Sequence, residues 1–292
     1  MTANPVAFEI SIARRTAAHH ILEGSAHLNM ETVNVPLNST WLDVHGLNMH
    51  ARVYKAGNHE RPAVVLVHGF IVSSLYMIPV AEIQADEFDV YALDLPGFGR
   101  SDKSGRFDTI EDLAEWLVLY MDAAGLQKPT VIGNSMGCQV VVEAAVRHPE
   151  KFGSIILSGP VIERTARHIP VQVWRALRVY PREKPMLVRI HAIDYLRAGP
   201  RRFMHCLRSM MAYPIERRLP LIQDPVLVVR GQYDTIVTQG WAEECARLLT
   251  HGTLVVLAGA AHTTNYSHPQ KLARVIRQYL ARTGDAKPDA RR

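Results

Sequence analysis

The 292-residue chain has only three cysteines, Cys138, Cys206 and Cys245, and no two of them stand at CxxC spacing. An odd, scattered set excludes a disulfide framework and a cysteine zinc site, and fits a reducing compartment, so a cytoplasmic location is expected. No run of 18 apolar residues free of charge exists, which excludes a membrane-spanning helix. Arg14-Arg15 stands near the N-terminus, but His19, His20, Glu23 and His27 interrupt the stretch that follows. Without an apolar h-region, neither a secretory nor a twin-arginine leader is expected. His19-His20 has no further ligands at useful spacing, so no metal is expected. No repeat, no nucleic-acid-binding motif and no basic-aromatic interleaving occurs, so nucleic acid is not an expected partner.

What is present is ordinary globular composition, 48% hydrophobic and 21% charged. A chain of this length makes one large domain or two small ones, and buries enough surface to fold without a staple. The net charge of +5 is unevenly spread: residues 161–219 hold 13 Lys and Arg against 4 Asp and Glu. Such a surplus can steer acidic partners, though solvated helix faces account for it most simply. One of these arginines could also face inward and hold a substrate carboxylate.

Two strands, Thr40–Val44 and Met49–Tyr54, are expected around the His45-Gly46 turn. Continuous apolar runs then read as buried parallel strands at Ala63–Val67, Val90–Leu93, Thr130–Ile132, Ser154–Leu157, Pro225–Val229 and Thr253–Leu257. Between them, apolar residues recur at helical spacing over Ile110–Ala124 and Met136–His148, and again from Pro269. Strands alternating with helices predict a doubly wound α/β sheet. The alternation breaks after Pro160. Stripes at Val173, Trp174 and Leu177 and at Phe203, Leu207, Met210 and Met211 predict an inserted helical cap, with Pro200 in the first turn of its second helix. The organisation expected is an N-terminal arm over 1–38, a core over 39–160 and 220–282, a cap over 161–219 and a disordered tail over 283–292.

The strongest chemical signal is Gly133-Asn134-Ser135-Met136-Gly137, a GxSxG placed directly after a strand and directly before a helix. The glycines leave room for a sharp turn that lifts the Ser135 hydroxyl above the sheet. The Met136 amide at the helix N-terminus then points toward a developing oxyanion. A serine hydroxyl needs a base and an orienter to act as a nucleophile. Asp234 and His262 each fall just past a strand end, in the chain order Ser, acid, His. The second oxyanion donor is expected from the loop after Ala63–Val67, with the Phe70 amide first and that of Ile71 second. His68 in that loop reads as a turn residue, Cys138 as a small buried side chain, and Asp194 as a weaker rival to Asp234. Pocket candidates are Ile71, Trp174, Phe203, Leu207 and Met210.

Together, His68-Gly69, the Asp94–Ser101 turn, the serine turn, Gly231-Gln232-Tyr233-Asp234 and Gly259-Ala260-Ala261-His262 resemble the α/β-hydrolase superfamily across about residues 41–281. The resemblance implies an eight-stranded, mostly parallel sheet with a cap after the sixth strand. It also implies Ser135 as nucleophile, His262 as base and then acid, and Asp234 as orienter. The GNSMG turn is similar to that of meta-cleavage-product hydrolases, which cut C–C bonds in ring-fission dienoates. Against that, the loop reads Phe70-Ile71-Val72-Ser73-Ser74 where those enzymes have a Gly-Pro-Gly-rich one, and Thr263 follows His262 where they often have Trp. Ser135 stands where epoxide hydrolases and haloalkane dehalogenases use Asp. The expected activity is a cofactor-free serine hydrolase of small or medium carboxylic esters. The alternatives are a C–C hydrolase and a non-catalytic ligand receptor. The expected partner is a small-molecule substrate, and a homo-oligomer stays open.

Overall fold

The computed structural model of the chain describes residues 37–55 and 61–284. One sheet carries eight strands, in the order β1 (Leu37–Val44), β2 (Leu47–Tyr54), β4 (Asp89–Leu93), β3 (Ala63–Val67), β5 (Thr130–Asn134), β6 (Ile155–Ser158), β7 (Pro225–Gly231) and β8 (His251–Leu257). The β1–β2 hairpin and the β2–β4 pair are antiparallel. All neighbours from β4 to β8 run parallel. The hairpin turns on His45 and Gly46, both with positive φ, the backbone that a two-residue turn matching strand twist requires.

The strands are apolar throughout because both faces are covered. Val65 and Val67 of β3 join one apolar cluster, and Val64 and Leu66 join the other. Likewise Val226 and Val228 of β7 face one side, and Leu227 and Val229 the opposite one. Helices α2 (Ile110–Ala123), α3 (Met136–Arg147) and α8 (Gln239–Leu248) bury their apolar residues in the first cluster. Helices α1 (Ile78–Gln84) and α10 (Pro269–Thr283), the latter preceded by the single turn α9 (Thr264–Ser267), bury theirs in the second. Helix α2 starts with a capping box: Thr109 Oγ1 accepts from Asp112 N at 3.3 Å, and Asp112 Oδ2 accepts from Thr109 N at 3.0 Å.

Between β6 and β7 the chain forms α4 (Ile169–Val179), α5 (Pro185–Ala198), α6 (Pro200–Ala212) and the single turn α7 (Ile215–Arg218). Polar contacts tie this insertion to the sheet body. Ser209 Oγ of α6 accepts from Ile110 N at 2.9 Å, and Gln139 Nε2 donates to Met210 O at 2.9 Å. The buried Arg202 guanidinium pairs with Asp108 at 3.7 Å. Arg218 and the Tyr213 hydroxyl converge on the buried Glu143 carboxylate.

Helix α5 has no counterpart in the sequence reading. Only Leu187, Asp194 and Ala198 of its residues are buried, so apolar residues fall on two faces and leave no single stripe. Thr283 also departs from the expectation of a disordered tail, since it closes α10 and its hydroxyl reaches back to Tyr279 O. Of the expected arm only Leu37 and Asn38 are described, and they belong to β1; the other arm residues and 285–292 lie outside the described residues.

Candidate active site

In strand order, β3 is flanked by β4 on one side and β5 on the other, so the chain leaves the middle of the sheet in opposite directions there. A crevice opens at such a switch point, beyond the strand carboxyl ends. His68–Phe70 follows β3 and Ser135 follows β5 in that crevice. Asp234 follows β7 and His262 follows β8 along the same edge.

Ser135 sits between β5 and α3 with φ 56 and ψ −121, a backbone that L-residues adopt only under constraint. The constraint is visible at the flanking glycines. A Cβ on Gly133 would come within 2.6 Å of Gly137 O, and one on Gly137 within 2.4 Å of Val67 O. The first approach closes the turn on itself, and the second seats it against β3. Hydrogen bonds fix it further, from Ser135 N to Ser158 O at 3.0 Å and from Asn134 Nδ2 to Ser158 O at 3.0 Å.

Tyr76 joins the serine turn to the β3 loop. Its buried hydroxyl donates to Asn134 Oδ1 at 2.7 Å and accepts from Gly69 N at 2.7 Å. This bond consumes the Gly69 amide and leaves the next one, Phe70 N–H, without a protein acceptor among the described residues; the same is true of Met136 N–H. Sequence reasoning missed Tyr76, because nothing in its neighbourhood marks a residue seven positions past the loop it holds.

Asp234 Oδ2 bonds His262 Nδ1 at 2.7 Å, and both side chains are buried. Asp234 Oδ1 accepts from Ile236 N at 2.8 Å and Val237 N at 2.9 Å. The carboxylate is therefore fixed by three hydrogen bonds, two from its own turn and one from the imidazole. It does not cap α8; Thr238 does, accepting from Trp241 N at 3.2 Å. With Nδ1 tied to Asp234, His262 keeps Nε2 buried and without a hydrogen-bond partner among the described residues. No hydrogen bond joins it to Ser135, although both side chains line one cavity. Bonds of this kind often tighten only when substrate is bound. Burial pulls the His262 pKa down, but the Asp234 charge, the bond to Asp234 and the Glu183 charge outweigh it and raise it above the ordinary histidine value.

His68 is occupied at both nitrogens. Nδ1 bonds Gly69 O at 2.9 Å, and Nε2 accepts from Leu95 N at 3.1 Å. Burial lowers its pKa and keeps it neutral, so it serves the loop. Asp94 accepts from Ser74 N, Arg100 N and His50 Nδ1. Burial opposes its charge, yet these bonds and the nearby histidines hold its pKa at about 2. It pins the Asp94–Ser101 turn. Cys138 is buried, with its thiol pushed well up by burial, and Asp194 accepts from Ser73 Oγ at 2.7 Å. Neither joins the Ser135 cavity.

That cavity, of about 150 Å³, is lined on the sheet side by Gly69, Phe70, Ser135 and His262. Its other wall comes from α4 and α5 and the bend between them, through Ala176, Val179, Tyr180, Glu183, Leu187 and His191. Five expected pocket residues are not among its lining. Trp174 is 57% exposed, because it lies on the face of α4 opposite Ala176. Ile71, Leu207 and Met210 are packed into the core, and Phe203 packs at a tilt against Phe70, with ring centroids 4.9 Å apart. Glu183 was not anticipated. Its carboxylate accepts from Thr263 N at 2.9 Å and from the Thr263 hydroxyl, so the insertion grips the residue next to His262. His191, held to about 4 by burial and by the charge of His262, is neutral near pH 7.

The eight-stranded sheet and its strand-end crevice define an α/β-hydrolase fold. A family model described as alpha/beta hydrolase fold matches residues 62–187, and one described as TAP-like protein matches residues 208–291. The chain belongs to the α/β-hydrolase superfamily. It is 35% identical to the uncharacterized hydrolase YugF of Bacillus subtilis over 115 residues, 39% of this chain and 41% of that protein's length. It is 23% identical to the carboxylesterase YbfK of the same organism over 246 residues, covering 78% of this chain and 83% of that one. The structure superposes with a TM-score of 0.71 on the 2-hydroxy-6-oxo-6-phenylhexa-2,4-dienoate hydrolase of Rhodococcus sp. strain RHA1, at 24% identity and covering 85% of this chain and all of that one. Among the described residues, no helix is long and apolar enough to cross a membrane. No group of three or more His, Cys, Asp and Glu side chains among them could hold a metal ion.

Proposed function

We propose that this hydrolase cleaves carboxylic esters through an acyl-enzyme on Ser135. The observation that carries the reading is the buried Asp234–His262 pair: among the described residues His262 Nε2 has no hydrogen-bond partner, and His262 lines the same cavity as Ser135. A neutral imidazole with Nδ1–H committed to a carboxylate has its lone pair at Nε2, the state a general base needs.

In this mechanism His262 Nε2 takes the Ser135 proton as Oγ attacks the ester carbonyl. The oxyanion that forms is bound by the Phe70 and Met136 amides; loss of one such donor costs about 3 to 4 kcal/mol of transition-state stabilisation. The imidazolium gives its proton to the leaving alkoxide, and the alcohol departs. Water, deprotonated by His262, then attacks the acyl carbonyl. Collapse returns the proton to Ser135 and frees the acid. Asp234 keeps its charge throughout and stabilises the imidazolium. A cavity of this volume admits a group about the size of benzene, which supports a short or medium acyl chain.

The TM-score with a dienoate hydrolase supports C–C cleavage as a second reading. The cavity wall weighs against it. A dienoate brings a carboxylate, and no Lys or Arg lines the cavity whereas Glu183 does. Initial rates on p-nitrophenyl esters from acetate to palmitate, for the native protein and Ser135→Ala, test the choice. Turnover on short and medium chains that the substitution abolishes is expected. Turnover confined to a dienoate would replace the ester reading with the second.

A further inference from the structure

Helices α4 and α5 turn one face to the cavity and the other to solvent, and the outer face is apolar as well. On α4, Ile169, Val173 and Leu177 recur at four-residue spacing and are all exposed, with Trp174 beside them. On α5, Val188 and Leu196 are exposed as well, Leu196 on the side away from Leu187. Leu177 is 67% exposed and Leu196 79%. Side chains of this kind leave water readily, and contiguous apolar patches on a surface mark a place of contact.

The charge of this face identifies what it contacts. Arg178, Arg182, Lys184, Arg189, Arg197 and Arg201 are exposed over residues 168–201. The two acids of that stretch, Glu183 and Asp194, are buried, so no exposed carboxylate interrupts the face. A second copy placed symmetrically on it would set arginines against arginines with nothing to neutralise them. An anionic lipid surface matches both properties: its headgroups pair with the cations, and its acyl boundary takes up Trp174, Leu177 and Leu196.

We propose that the outer face of α4 and α5 docks this protein peripherally on anionic membranes. Docking there puts the lipid against the same two helices that wall the Ser135 cavity, so esters dissolved in the bilayer are the substrates delivered to it. That last clause rests on the ester reading; the docking does not.

The test is partition of the full chain onto vesicles, read by sedimentation and by Trp174 emission. Vesicles of phosphatidylcholine alone are compared with vesicles containing phosphatidylglycerol, at low and high salt, with Trp174→Phe supplying the background spectrum. Binding to the phosphatidylglycerol vesicles is expected, weakened by salt and accompanied by a blue shift that Trp174→Phe removes. Arg182→Gln with Arg189→Gln should lower the partition about thirty-fold, at roughly fivefold per charge. Leu196→Ser should lower it about tenfold. Absence of binding at low salt overturns the proposal, as does equal binding to both vesicles or binding that leaves Trp174 emission unchanged. A concentration-dependent dimer that Leu196→Ser dissociates would assign the face to a second copy instead. None of these readings depends on turnover, so they stand apart from the esterase assay.

Discussion

Replacing Tyr76 by Phe removes one oxygen and leaves two buried polar groups unpaired. Gly69 N–H loses its acceptor, and Asn134 Oδ1 loses its donor, while Asn134 Nδ2 keeps its bond to Ser158 O. The ring itself fits either residue, so the packing of this fully buried side chain is unchanged. Orphaning a buried donor or acceptor costs about 1 to 3 kcal/mol, so the pair should cost at least about 2 kcal/mol. For a chain of this size that lowers Tm by at least about 3 °C. The functional effect is separate. Gly69 precedes the Phe70 amide that we assign to the oxyanion, and a loop free to drift by an ångström can cost up to about a hundredfold in rate. The loss should fall on kcat with KM little changed, because the loosened group acts on the transition state. Calorimetry and ester kinetics well below Tm separate the two effects. A Tm within about 1 °C of the native value, with kcat intact, would refute the role given to this hydroxyl.

Other predictions follow from the same geometry. The His262 pKa is raised, and the base works only when neutral, so the acid limb of kcat/KM should lie above the ordinary histidine value. Glu183→Gln removes one of the charges raising it and should move that limb to lower pH; a limb that stays put or rises would contradict the assignment. Gly137→Ala places a Cβ within 2.4 Å of Val67 O and 2.7 Å of His68 O, both backbone atoms. It should destabilise the fold by about 3 kcal/mol or more in urea titration and abolish turnover, and a normal midpoint would show that the turn has slack. Ala176→Phe intrudes on the cavity wall. It should spare acetate esters while raising KM for longer acyl chains; a uniform effect along the series would mean that the acyl group lies elsewhere.

Most of the sheet was legible because buried parallel strands are apolar on both faces, and runs such as Ala63–Val67 can be little else. Ser135, Asp234 and His262 were legible for a local reason: each falls shortly after the end of such a run, and the glycines beside Ser135 announce a turn that tolerates no side chain. The inserted wall was not. Its helices are apolar on two faces, so Trp174 read as pocket when it points away, and Leu207 and Met210 read as pocket when they pack the core. Val179, Leu187 and His191 carry no distinguishing pattern, and reach the cavity only through the way α4 and α5 cross it. Glu183 and Tyr76 are likewise set by tertiary contacts, to Thr263 and to Gly69 and Asn134, that no spacing in the chain encodes.

Ester cleavage by this protein requires Ser135 as the nucleophile. The most direct measurement is intact-protein mass followed by peptide mapping after exposure to a p-nitrophenyl alkylphosphonate, which is attacked as an ester is but leaves a stable adduct. One phosphonyl group per chain is predicted, on Ser135, with release of one equivalent of p-nitrophenol and loss of labelling in His262→Ala. An unlabelled protein, or a label on any other residue, would contradict it.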